Sequence, residues 1–353
     1  VYIDSTEMKT RSIRIKTCLA MAAALLLAAC SSRTTYVIEG KDPAFTDGDY
    51  MFVADATDWS YLDSARIEGH AFRLESPRTG TGLAMLYMGK ESASNNLVQV
   101  SDFFFIEPGH TLTYRADSVG IRVEGSPLND AYNRLTTIRM NDDGQWLEVA
   151  RTTVKEHPDL LGIFCLDELR GYLSKAELKE LMLPFPAGMQ QHPYLVKLKE
   201  KVEAIRAEIG TPYYDFAATG TEGDSLSLSQ VVGRKGARYV LLDFWATWCG
   251  PCRQELPHVK KTYETYKDKG FDIYAVAFEN DREGWKKVVA EEGLDWANVI
   301  VPFDRPFAYH PLWQAYGLTG IPNNFLIDAS NGQVIARNLR GDDLAGKLAG
   351  LLN

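Results

Sequence analysis

The stretch from Arg238 to Trp245, RYVLLDFW, constrains this chain more than any other. It is a nearly unbroken apolar run with β-branched and aromatic members, interrupted by one acid, Asp243. A strand buried on both faces has this composition, and such strands lie in the middle of a parallel or mixed α/β sheet. Ala246, Thr247 and Trp248 lead out of it. Cys249-Gly250-Pro251-Cys252 follows, and Arg253 to Lys269 reads as a helix. The sequence thus predicts a buried strand, a tight turn and a helix that begins on a Cys-x-x-Cys pair.

That placement carries chemistry. A cysteine at the first turn of a helix faces unpaired N–H groups and the positive end of the helix dipole. Both favour the thiolate, the form that attacks a disulfide. The two-residue spacer lets the second sulfur reach the first, and Pro251 suits a first helical turn. Cys249 is therefore expected to attack and Cys252 to resolve the mixed disulfide. Half of a zinc site is the competing use of such a pair. Structural zinc takes four Cys or His ligands, no second paired set occurs, and His258 falls on the same helix as a solvated side chain. No metal is expected, and no cofactor beyond the Cys249–Cys252 disulfide.

The chain has 353 residues, 45% hydrophobic and 24% charged, enough for two domains. Its net charge of -9 gives it nothing to gain at a phosphate backbone, so nucleic acid is not expected as a partner. Five cysteines are too few for a disulfide scaffold at this length. Cys165 stands alone among apolar neighbours, from Leu161 to Leu166, and reads as a buried, inert thiol.

The N-terminus reads as an address. Residues 9–16, KTRSIRIK, are basic, and residues 18–29, CLAMAAALLLAA, form an apolar run too short to span a bilayer. The run ends in Leu27-Ala28-Ala29-Cys30, which resembles the lipobox of bacterial lipoproteins. That resemblance implies a signal peptide over 1–29, a lipid on the Cys30 thiol and a linker over 30–35. Ser31 and Ser32 place no acid beside Cys30, which by the usual sorting rule favours the outer over the inner membrane. Asp4 and Glu7 do not suit a basic leader, so translation is expected to start at Met8.

Residues 36–125 read as a β-rich domain, with short apolar or alternating runs at Tyr36–Ile38, Tyr50–Val53, Ala71–Leu74, Phe103–Ile106 and Thr111–Tyr114. Gly and Asp turns separate them, as in a small sandwich or barrel. From Ser126 to Gly210 the spacing is helical. One helix is expected through about Leu147, a second from His157 toward Tyr172, a third capped by Ser174 and a fourth from Tyr194 to Ile209. Gly210-Thr211-Pro212 ends this helical arm.

Two resemblances follow. Val240 to Pro257 closely resembles thioredoxin. Residues 211–353 as a whole resemble the TlpA/ResA-like thioredoxin lipoproteins, some of which carry an N-terminal β-rich domain of unknown function. Ile38-Glu39-Gly40, Leu62 to Ala65, Phe105 to Gly109 and Glu124-Gly125-Ser126 carry the N-terminal likeness. The resemblance implies that Asp243 is a buried acid, which takes and returns the proton of the resolving thiol. It gives Glu255 either a share in that role or a place on a solvated helix face, and makes Pro257 a structural kink. It implies a cis Pro322, with the Ile321 backbone pairing with an incoming client strand and Trp248, Gly250 and Pro251 flanking it. The helix over 281–293 and the aromatic residues Trp296, Phe303, Phe307, Tyr309 and Trp313 form an insert typical of this branch. Those rings fill a core or line a groove.

The expected architecture is an α/β thioredoxin-like domain, a central mixed sheet flanked by helices, over 211–353. A helical arm over 126–210 joins it to the β-rich domain. The expected function is an envelope thiol-disulfide oxidoreductase, lipid-anchored and facing the periplasm, that reduces protein disulfides. Its partners are disulfide-bearing clients, an envelope thiol donor and the membrane through Cys30. Cytochrome c maturation proteins are clients by resemblance only. Oxidase or isomerase direction stays open, because direction follows the relative stability of thiolate and disulfide. A peroxidase is disfavoured, since Thr247 lies two residues before Cys249 without the proline that peroxidatic sites carry. The N-terminal half could instead bind a glycan, a peptide or a second copy of the chain, with the redox domain auxiliary.

Overall fold

The computed structural model describes residues 35–56, 60–77, 80–90, 97–118, 120–141, 143–303 and 310–352. The leader, Cys18, Cys30, Phe307 and Tyr309 lie outside the described residues. The chain forms two compact units, one ending at Trp146 and one beginning at Leu147.

The first unit is a sandwich. Strands β1 (Tyr36–Lys41), β2 (Tyr50–Asp55), β3 (Tyr61–Arg66), β4 (Ala71–Ser76), β5 (Gly82–Gly89), β6 (Val98–Gln99), β7 (Phe104–Ile106), β8 (Thr111–Asp117) and β9 (Gly120–Glu124) build two sheets. One has the order β4-β1-β8-β9; the other has β3-β2-β5-β6, with β7 also on β5. Neither closes into a barrel. Alternation decides which side chains face inward: in β4, Phe72 and Leu74 are buried while Arg73 and Glu75 point out. The core between the sheets takes Ile38, Met51, Val53, Phe72, Leu86, Phe104 and Leu112, among others. Gly125, after β9, has φ +103°, and a Cβ there would stand 2.6 Å from Thr111 O, so only glycine fits. Helix α1 (Pro127–Asn141) follows, and its Asn129 side chain bonds both Phe105 N (2.8 Å) and Phe105 O (2.7 Å).

The division between units falls inside α2 (Asp143–Glu156). In the second unit α3 (Leu160–Leu169) is capped by Asp159, and α4 (Lys175–Met182) by a Ser174–Glu177 capping box. A short turn, α5 (Ala187–Gln190), and α6 (Pro193–Glu203) complete the helices of the arm. The last helix stops at Glu203 rather than Ile209, because Arg206 N and Ala207 N both bond to Ala315 O, at 2.7 and 3.2 Å. Asn338 Nδ2 likewise donates to Gly171 O at 2.7 Å. Within the second unit, the stretch from Gly171 to Ala207 therefore packs onto the sheet domain.

That domain is a seven-stranded mixed sheet. Its strands are β10 (Ala217–Gly220), β11 (Ser225–Ser227), β12 (Tyr239–Trp245), β13 (Phe271–Phe278), β14 (Ala297–Val301), β15 (Asn323–Asp328) and β16 (Gln333–Arg337), in the order β11-β10-β14-β13-β12-β15-β16. The helices are α7 (Leu228–Val232), α8 (Gly250–Tyr266), α9 (Arg282–Glu291), α10 (Pro311–Ala315) and α11 (Asp342–Leu352). Strand β12 is central, parallel to β13 and antiparallel to β15. Its alternate residues feed two cores. Val240, Leu242 and Phe244 join α7 and α10, whereas Leu241 and Trp245 join α8, α9 and α11. Asp243 shares the parity of Leu241 and Trp245, which puts it on the α8 face. Trp296 and Trp313 are buried in these two cores, and Phe303 packs against the second.

Candidate active site

The site forms where β12 ends and α8 begins. Cys249 is the N-cap residue of α8, extended in backbone (φ -81°, ψ 102°), and its Sγ accepts from Cys252 N at 3.2 Å. Pro251 lies in the first turn, where its missing N–H costs nothing. Cys249 and Cys252 are joined as a disulfide, with Cα atoms 5.3 Å apart. They retain 5% and 3% of their surface, while Trp248 beside them is 52% exposed and Gly250 and Pro251 are exposed. The sulfurs are thus buried beside three exposed neighbours.

The loop before β15 forms the opposite wall. The Ile321–Pro322 peptide bond is cis, and Ile321 O lies 3.7 Å from Cys249 Sγ. Both residues are half-buried.

Two acids, Asp243 on β12 and Glu255 on α8, lie close enough to act on one another. Asp243 is 7% exposed, and burial pushes its carboxyl up to about 6. A nearby guanidinium, Arg340, pulls the other way, and the Glu255 carboxylate adds to the rise. Glu255 is half-buried on α8 and accepts from Gly341 N at 2.7 Å. It is therefore not a freely solvated helix carboxylate. His258 is exposed. Among the described residues, no three His, Cys, Asp or Glu side chains converge as a metal site.

Three polar residues at this site were not singled out from the sequence. Arg340 donates to Pro322 O, and Asn324, fully buried opposite Asp243, holds Leu339 by both backbone groups. Glu279, at the end of β13, accepts from the Thr247 hydroxyl and from Asn280 N at 3.0 Å. Each sits at a strand end or in a turn, among other polar residues. Only the fold brings Arg340 to Pro322, Asn324 to Leu339 and Glu279 to Thr247.

Away from the site, Cys165 is buried at 1% exposure, and burial pushes its thiol up to about 12. This agrees with an inert thiol.

The Redoxin family matches residues 208–349, and a domain family of unknown function, DUF4369, matches residues 36–132. The thiol-disulfide oxidoreductase ResA of Bacillus thuringiensis is 32% identical over 147 residues, 42% of this chain and 78% of that protein. The ResA of Geobacillus kaustophilus is 34% identical over 132 residues, 37% of this chain and 70% of that protein. Among solved structures, the thioredoxin domain of a thiol-disulfide oxidoreductase from Bacteroides vulgatus is 34% identical. It covers 41% of this chain and 99% of its own length, with a TM-score of 0.37.

Proposed function

Because the chain belongs to the ResA-like family of thioredoxin-fold thiol-disulfide oxidoreductases, we propose that it reduces disulfides of client proteins in the cell envelope. Cys249 attacks the client disulfide as a thiolate. Cys252 then resolves the mixed disulfide, and Asp243 takes the Cys252 proton, with Glu255 shaping the acid layer beside it. Trp248, Gly250, Pro251, Ile321 and Pro322 line the surface that receives the client, whose extended segment pairs with the Ile321 backbone. The disulfide is the sole cofactor, and an envelope thiol donor returns it to the dithiol.

One observation carries this reading. The Cys249–Cys252 disulfide sits on the N-terminus of α8, next to an exposed Trp248 and the Ile321 carbonyl. A helix N-terminus favours thiolate, and an open flank admits a protein substrate.

The reading is tested by insulin reduction and by measurement of the potential of the pair. Reduction should vanish in Cys249→Ser, and Cys252→Ser should accumulate mixed disulfides with clients. A potential near roughly −270 mV would support a reductase, and one near about −120 mV would make the protein an oxidase instead. Failure of Cys252→Ser to capture any client would end the reductase reading.

Lipid attachment at Cys30, with the redox domain facing the periplasm and the outer membrane as anchor, completes the proposal. The sequence Leu27-Ala28-Ala29-Cys30 supports it. Among the described residues no helix is long and apolar enough to cross a membrane. Cys30→Ser should move the protein from the membrane to the soluble fraction on cell fractionation.

A further inference from the structure

The segment after β16 is bonded to both halves of the redox centre. Leu339 N donates to Asn324 Oδ1 at 2.9 Å, and Asn324 Nδ2 donates to Leu339 O at 2.8 Å, which fastens the segment to β15. Gly341 N donates to Glu255 Oε1 at 2.7 Å, which fastens it to the helix that carries Cys252. Between these anchors, Arg340 donates from Nη1 to Leu339 O at 3.1 Å and from Nη2 to the carbonyl oxygen of Pro322. Pro322 stands two residues before Asn324, the register partner of Asp243, so the bond to Pro322 O brings the guanidinium to the strand end beside Asp243, where its charge acts on that carboxyl.

The surroundings of Asp243 are otherwise poor in compensation. From α8 it meets another acid, Glu255. The positions opposite it on β13 and β15 are Ala275 and Asn324, neither of which titrates. Among the described residues Arg340 is therefore the cation that acts on this carboxyl, and it comes from a turn far along the chain.

We infer that Arg340 is a positioning residue of the redox centre, holding a fixed positive charge between the Pro322 carbonyl and buried Asp243 so that this carboxyl can take the Cys252 proton. The inference rests on the proposed dithiol chemistry and deepens it. In the resolving step the Cys252 thiol gives its proton to the Asp243 carboxylate. The Cys252 sulfur then bonds to Cys249 Sγ, the bond between Cys249 and the client sulfur breaks, and the client leaves as a thiolate. The pair loses two electrons and the client gains them. Without Arg340 the carboxyl faces Glu255 and a low dielectric, so a larger share of it is protonated near neutrality and unable to accept the proton.

The test uses the full-length reduced protein and 5,5′-dithiobis(2-nitrobenzoate) in a stopped-flow experiment. Attack by Cys249 releases one nitrothiobenzoate, and resolution by Cys252 releases the second. Arg340→Gln should move the pH midpoint of the second phase upward by about one unit, the usual effect of removing a neighbouring opposite charge. Arg340→Lys should restore most of the wild-type midpoint. In an Asp243→Asn background, Arg340→Gln should add no further shift, because the two substitutions act on one proton. An unmoved midpoint in folded Arg340→Gln, or a shift that persists without Asp243, overturns the inference. Should Arg340→Gln fail to fold by circular dichroism, a full one-unit shift in folded Arg340→Lys, which keeps the charge, overturns it too. Wild-type protein that releases neither equivalent defeats the proposed function itself. Wild-type protein that releases both, with the variants unmoved, defeats this inference alone.

Discussion

Cys249 Sγ lies 3.7 Å from the carbonyl oxygen of Ile321, so the sulfur that caps α8 and the loop that leads into β15 face one another. Cys249 caps α8 beside the exposed Trp248, whereas Cys252 lies inside the first turn of that helix and Cys165 is buried at 1% exposure. The thiols of the reduced protein should therefore separate cleanly on alkylation with iodoacetamide at pH 7. Cys249 should react first, and Cys165, whose thiol burial pushes up to about 12, should lag by at least about a hundredfold until denaturant is added. Peptide mass mapping reads both. Labelling of Cys165 at the Cys249 rate would mean that the arm does not bury it.

Asp243 ties activity to stability through one proton. Its folded-state pKa of about 6 stands above the ordinary 3.8, with burial as the cause. The fold thus prefers the neutral acid. Stability from this group is fully present below about pH 4 and is lost as pH rises through about 6. A rise of about two units corresponds to about 3 kcal/mol. Asp243→Asn should accordingly be more stable than wild type by up to about 3 kcal/mol at pH 7.5, and equal to it near pH 3.5, in urea unfolding curves of the oxidised protein. The same substitution should slow resolution by Cys252 about a hundredfold at pH 7, as expected for loss of a general base. A variant that is both faster and less stable at pH 7.5 would contradict the assignment.

Those sulfurs and that acid were legible because local pattern specifies them. The run at 239–245 alternates between two buried faces, and Cys-x-x-Cys with Pro251 marks a helix start wherever it follows such a strand. The caps at Ser174 and Asp159 were legible for the same reason. Strands β3, β5 and β9 were not. β5, GLAMLYMG, is central yet built from Ala, Met and Leu, with no β-branched residue to separate it from helix. β3 and β9 are edge-like and largely exposed, so their sequences carry little alternation. Arg340 was illegible in a stronger sense. A charged residue in the turn before a helix reads as solvated, and its meaning depends on Pro322, Asn324 and Glu255, which only the tertiary fold brings beside it.

A buried charge pair inside the arm should set its acid sensitivity. Arg170 is 4% exposed and donates to Asp167 at 2.5 Å, and Lys201 donates to the other carboxylate oxygen at 2.6 Å. Burial works to raise the Asp167 pKa, but the two cations outweigh it and hold the carboxyl at about 2. A lowered pKa contributes stability that is present above about pH 4 and lost as pH falls toward 2. Asp167→Asn should cost about 2 kcal/mol at pH 7. Breaking a fully buried pair costs roughly 3–5 kcal/mol, but the Asp167 side chain keeps 31% of its surface in water. The deficit should disappear near pH 2, as followed by denaturant midpoints.

Truncation separates the unit defined by contacts from the unit defined by composition. A cut at residue 210 follows the sequence boundary, yet it removes everything that the arm supplies to the sheet domain. The bonds from Arg206 and Ala207 to Ala315 O are lost, as is the bond from Asn338 to Gly171 O. So is the backbone of Gly171, packed so close to Thr319 that a Cβ there would stand 2.8 Å from its hydroxyl oxygen. Ala315 and Thr319 lead directly into Ile321 and Pro322, so the loss falls on the wall that faces Cys249. A fragment of residues 147–353 should melt higher than one of residues 211–353, by several degrees for each kcal/mol withdrawn. It should also reduce insulin faster. Equal melting temperatures and equal rates would show that the arm contributes nothing to the redox domain, and that the contacts at Ala315 and Asn338 are incidental.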